Sequence, residues 1–268
     1  MVDGVRSSSL LVLCLIASHA PAASADPCKG AEPTVRSVAR KIQALTSRAS
    51  EAIVTCAFHG ASPALVKYLR EEGNRVAPEL QAVTKWETCT VNPSGLTVVG
   101  LVASYENFAG TTFTAALAAC GPKEGTAAAP PAPDAVCKAD EAWLRTWVQR
   151  TGEAAAKATD AAVSCAFKGA NDKLLTDLAR VMKPQIQRAF KAMPKACKTN
   201  SLSSQDIAGD AGESAGKRLG LAVSMCSSKA RKKLAEMKRA GRMTEEDVRK
   251  ELGDLAGAYV ETVLGTRK

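Results

Sequence analysis

Cysteine spacing constrains this chain more than any other feature of its sequence. From Cys28 onward the cysteines stand at 28, 56, 89 and 120, then at 137, 165, 197 and 226. Two sets of four at nearly the same intervals predict an internal duplication, and the flanking residues agree. Val54-Thr55-Cys56-Ala57-Phe58-His59-Gly60-Ala61 is matched, 109 positions later, by Val163-Ser164-Cys165-Ala166-Phe167-Lys168-Gly169-Ala170. The same offset pairs Cys28, Lys29, Glu32 and Arg36 with Cys137, Lys138, Glu141 and Arg145. Between the copies, residues 121–134 are rich in Ala, Pro and Gly and read as a stiff linker.

Residues 1–25 stand outside this pattern. Arg6, the apolar run Leu10 to Ala17 and Ala23-Ser24-Ala25 together read as a secretory signal peptide, which would remove Cys14 and leave eight cysteines. An even number of cysteines behind a signal peptide predicts disulfides, and with them a secreted or periplasmic location. The expected organisation is a signal peptide (1–25), a first four-cysteine module (26–120), the linker (121–134), a second module (135–226) and a basic extension (227–268).

Helical periodicity fills in each module. Val35, Val38, Ile42, Leu45, Ala49, Ala52 and Cys56 alternate intervals of three and four, and Leu144, Trp147, Thr151, Ala154, Ala158, Ala161 and Cys165 repeat that grid. Gly60 and Gly169 read as left-handed caps ending these helices. Ser62-Pro63 and Asn171 start the next helix of each copy, within which Pro78 and Pro184 predict a kink or break. The third segment, Thr97 to Cys120, carries Val, Thr and Gly that would suit strands. Val102, Tyr105, Ala109, Phe113, Ala116 and Cys120 nevertheless keep helical spacing, so the expected fold is all-α: a tandem duplication of a disulfide-stapled three-helix module, with a helical C-terminal extension.

That topology sets the disulfides. A helix of roughly 40 Å, at ~1.5 Å per residue, separates Cys28 from Cys56, whereas bridged Cα atoms lie about 4.4 to 6.8 Å apart. In an up-down-up bundle the first and third cysteines share one end and the second and fourth the other. The expected bridges are Cys28 with Cys89, Cys56 with Cys120, Cys137 with Cys197, and Cys165 with Cys226.

Charge is distributed unevenly. Residues 26–133 carry a net charge of +1 and residues 134–268 a net +8. Seven of the fourteen residues from Lys229 to Arg242 are basic, with Glu236 alone opposing them. Arg231, Lys232, Lys233, Lys238 and Arg239 are therefore the candidates for contact with an anionic partner. The stretch from Leu234 through Lys238-Arg239-Ala240-Gly241 to Thr244-Glu245-Glu246-Asp247-Val248 resembles SHOCT, a short helical pair found at the C-termini of many bacterial proteins. Val248 stands where that family usually has an aromatic residue. The resemblance implies an assembly role and self-association through the C-terminal helices.

Residues for common chemistries are sparse. His59 is matched by Lys168 in the second copy, so the position reads as a cation at a helix C-terminus and not as a base or metal ligand. No phosphate-binding glycine loop, G-x-S-x-G, C-x-x-C-H or close C-x-x-C pair occurs, so no enzyme activity, cofactor or metal is expected. The expected function is non-enzymatic binding or assembly in the cell envelope or outside it. The second module and tail would contact an anionic envelope polymer, a lipid surface or a protein, with no intracellular nucleic acid. The alternative is a lipid or apolar-ligand carrier, by architectural analogy with saposins and plant lipid-transfer proteins, whose cysteine patterns are not matched.

Overall fold

The computed structural model describes residues 28–93, 95–122, 135–191 and 203–241. The expected signal peptide, most of the linker, Cys197 and the extension beyond residue 241 lie outside them. The described chain is all-α: α1 (Ala31–His59), α2 (Pro63–Gln81), α3 (Val98–Cys120), α4 (Ala135–Lys168), α5 (Asp172–Lys191), α6 (Ser204–Cys226) and α7 (Ser228–Arg239). A 3-10 turn at Thr84–Trp86 and a single antiparallel bridge, Thr90 with Thr97, connect α2 to α3.

The caps explain where these helices stop and start. Gly60 and Gly169 take φ of 87° and 90°, a region that costs residues with a side chain, and their N–H groups reach back to the carbonyls of Cys56 and Cys165. Ser62 Oγ accepts from the Leu65 N–H ahead of Pro63, and Asn171 Oδ1 accepts from Leu174. Helices α2 and α5 run on through Pro78 and Pro184. Both prolines are on exposed faces, where a carbonyl that loses its donor is open to water. Helix α3 forms despite its Val and Thr content because Thr97 Oγ1 caps it and Leu101, Val102, Tyr105 and Ala116 are buried along one side.

Three of the expected bridges are present: Cys28–Cys89, Cys56–Cys120 and Cys165–Cys226. Cys137 is also disulfide-bonded, and Cys197 is outside the described residues. Equivalent backbone contacts sit beside two of the bridges. Ser62 N–H donates to the Cys120 carbonyl at 2.9 Å, and Asn171 N–H to the Cys226 carbonyl at 2.7 Å. The turn after α1 is thus held to the end of α3, and the turn after α4 to the end of α6.

The two four-cysteine halves, read as copies from their matched sequence, are not separate bodies, because α1 packs along α4 and one continuous core takes residues from both. The two helices run antiparallel: Glu32 meets Lys168, Arg36 meets Asp160, Gln43 meets Gly152, Arg145 meets Thr55 and Glu141 meets His59. Shifting copy one by 109 positions turns the Glu32–Lys168 pair into the Glu141–His59 pair, so the contacts are reciprocal, as in an isologous interface. At the crossing point, the Gln43 amide donates to the Gly152 carbonyl at 3.3 Å. A Cβ on Gly152 would stand 3.1 Å from Ser47 Oγ, so glycine lets the two backbones approach.

The seam carries its charges in pairs. Arg36 and Lys168 hold the Glu32 carboxyl below its ordinary range, against a smaller opposing effect of burial. Burial raises Glu141, but hydrogen bonds from His59 and Arg145 outweigh it and the net shift is downward. His59 and Lys168 therefore do the same work at equivalent helix ends. Each clasps a glutamate within the first two turns of the other copy's long helix.

Candidate functional site

The net charge of the chain concentrates on two helices. Helix α5 contains five Lys/Arg against two Asp, and α7 contains six against one Glu, giving net charges of +3 and +5. The second helix of the first copy, α2, holds three of each sign and is neutral. Its acids are occupied as well: Glu72 receives Arg48 and Arg75, and Glu79 receives Lys41. On α5 the exposed cations are Lys173, Arg180, Lys183, Arg188 and Lys191, of which Arg180 pairs with Asp177. The two helices start side by side, since Asp172 Oδ1 accepts from the Ser228 N–H at 3.0 Å.

Helix α7 is packed against the rest of the molecule. Ala230, Leu234 and Met237 bury its inner face, and it packs on α6. Arg231 belongs to that inner attachment: its guanidinium donates to the carbonyls of Cys165 and Met225 at 3.2 and 3.1 Å, and burial lowers its pKa. Both carbonyls lie beside the Cys165–Cys226 bridge, so Arg231 fastens α7 to that end of the second module. Lys232, Lys238 and Arg239 are exposed, Lys229 joins them, and Lys233 is half-buried. Lys238 extends beside Gly95, so α7 reaches from the end of α6 to a turn of the first copy.

A second feature lies where α1, α3, α4 and α6 meet. A groove of about 60 Å³ is walled by Ile53, Phe108, Val148 and Ile207, and Ser50 and Ala211 also line it. Beside it stands Arg218, only 1% exposed. Its guanidinium donates to Ser214 Oγ at 2.8 Å and Thr46 Oγ1 at 3.0 Å and lies 5.6 Å from the centre of the Phe108 ring. Among the described residues no carboxylate pairs with it. Burial lowers its pKa to about 10, which leaves it charged at neutral pH. The sequence reading missed Arg218, because a lone arginine on a small-residue helix resembles a solvated side chain.

No family model, no curated protein and no solved structure matches this chain. The SHOCT resemblance rests on its own residues, of which those up to 241 fall on α7 and the turn after it. Among the described residues, no group of three or more His, Cys, Asp or Glu is placed to hold a metal. No described helix is long and apolar enough to cross a membrane. The chain is thus an all-α, disulfide-bonded protein, and bridges of this kind form in oxidising, extracytoplasmic surroundings.

Proposed function

We propose that this protein is a non-enzymatic binding protein of the cell envelope or extracellular space, exported by the signal peptide read in residues 1–25, that contacts an anionic surface through α5 and α7. The observation that carries this reading is the segregation of charge. Nearly all of the net +9 resides on two neighbouring helices, α5 of the second copy and α7 of the extension, while α2, the counterpart of α5 in the first copy, is neutral. Exposed cations in excess of acids raise the local concentration of a polyanion, and a lipid surface or an envelope polymer presents the repeated charge that such a face fits. The carrier alternative has less support, since the groove's 60 Å³ is well below the ~300 Å³ of pockets that enclose a drug-sized or larger ligand such as a lipid.

Binding to vesicles containing phosphatidylglycerol should therefore weaken steeply as salt rises and screening shortens toward a Debye length of ~8 Å. Replacing Lys229, Lys232, Lys238 and Arg239 by Gln removes four exposed charges and spares Arg231. At about 1 kcal/mol for each basic residue near such a surface, affinity should fall by roughly 1,000-fold at low salt. Circular dichroism should show an unchanged fold. A variant that binds as tightly as the natural protein, or binding indifferent to salt, would overturn the reading.

A further inference from the structure

The groove has a counterpart in the other half of the molecule, and there the space is filled. Helices α3 and α6 have the same length, start from the equivalent caps Thr97 and Ser203, and end in bridged cysteines. Counting from the caps pairs Tyr105 with Ala211. Counting back from Cys56 and Cys165 pairs Ser50 with Thr159. Tyr105 is buried between the copies, and its hydroxyl donates to the Thr159 carbonyl at 3.4 Å. At the reciprocal place stand Ala211 and Ser50, both of which line the groove. The groove is therefore the space that a tyrosine side chain occupies in the other half, left open because α6 carries alanine there.

From this equivalence we propose that the groove is a binding site for an uncharged phenol ring, which takes the place that Tyr105 holds on the other side. Phe108, Ile53, Val148 and Ile207 supply the apolar walls such a ring needs. The Ser50 carbonyl, equivalent to that of Thr159, accepts its hydroxyl. Asp210 and Glu213 at the rim disfavour an anionic ring, while Glu213 is itself held by Lys217 at 2.7 Å. The site is independent of the basic face, so either can fail without the other.

The test uses 4-methylphenol, which is the tyrosine side chain ending at Cβ, titrated into the natural protein and followed by amide chemical shifts. Saturable shifts are expected at Ser50, Phe108 and Ala211. Toluene, which lacks the hydroxyl, should bind about 3- to 10-fold more weakly. Ala211→Tyr should fill the groove from within, raise the melting temperature and abolish the saturable response. N-acetyltyrosinamide distinguishes the sources: binding comparable to 4-methylphenol assigns the ring to a tyrosine of a polypeptide, and binding of 4-methylphenol alone assigns it to a free phenol. The proposal is overturned if the natural protein shows no saturable shifts, if toluene binds equally well, or if A211Y responds as the natural protein does. Should A211Y not fold, the first two outcomes decide.

Discussion

Replacing Cys56 and Cys120 together by Ala will lower the stability of this protein by roughly 4 kcal/mol. The two cysteines are 64 residues apart in sequence, and their bridge removes that loop's freedom from the unfolded chain. A domain of this kind has a net stability of only about 5 to 15 kcal/mol, so a single bridge decides much of it. The bridge also anchors local structure, because the Ser62 N–H that orients the start of α2 bonds to the Cys120 carbonyl. Urea denaturation of the oxidised natural protein and the double variant measures the difference. Removing Cys165 and Cys226 in addition should cost a comparable amount and leave the chain largely unfolded at 37 °C. A loss below about 1 kcal/mol for the first pair would mean that the unfolded chain gains little freedom when the loop opens.

The second large effect belongs to Trp147. Its indole is 4% exposed, stacks on Trp143 at 5.7 Å between ring centres, and donates from Nε1 to the Ala208 carbonyl at 2.9 Å. Gly212 on α6 passes close enough that a Cβ there would meet the indole at 3.6 Å. Aromatics are only 4% of the sequence, so few side chains can compensate for the loss of this one. Trp147→Ala leaves a void and an unmatched carbonyl, and should cost about 3 to 5 kcal/mol. Because α1 packs on α4 within one core, the loss should reach the first copy as well. With Trp143→Phe added, Trp86 in the first copy is the one tryptophan left, and its fluorescence should report the same lowered midpoint as far-ultraviolet dichroism. Two separate transitions, with the Trp86 signal unmoved, would show that the copies unfold independently.

Much of this fold was legible in the sequence because its signals are local and redundant. Gly60, Gly169, Ser62-Pro63 and Asn171 mark helix ends by conformational preference alone, and the cysteine grid adds end-to-end geometry. Helix α3 was the harder case, since Val and Thr favour strands and burial had to override that preference. The α1–α4 seam was not legible. The periodic apolar stripe accounts for one buried face of each long helix, whereas the seam is made by a second face carrying Gln43, Thr46 and Gly152, which no hydropathy pattern marks as buried. A signal for the groove did exist. Aligning the third helix of each copy from its cap sets Tyr105 against Ala211, and a large-to-small change at a buried, reciprocal position leaves a hole on one side. The role of Arg231 was hidden for a different reason, since composition cannot distinguish a cation that faces water from one that ties down backbone carbonyls.

The basic face is the centre of the functional account, and hydrogen exchange with and without phosphatidylglycerol vesicles tests it most directly. Bound vesicles should slow exchange along α7 and the exposed side of α5, and leave α2, the neutral equivalent in the first copy, at its free rate. Protection on α2 equal to that on α5 and α7, or none on α5 and α7 under conditions where the protein is bound, would contradict the account.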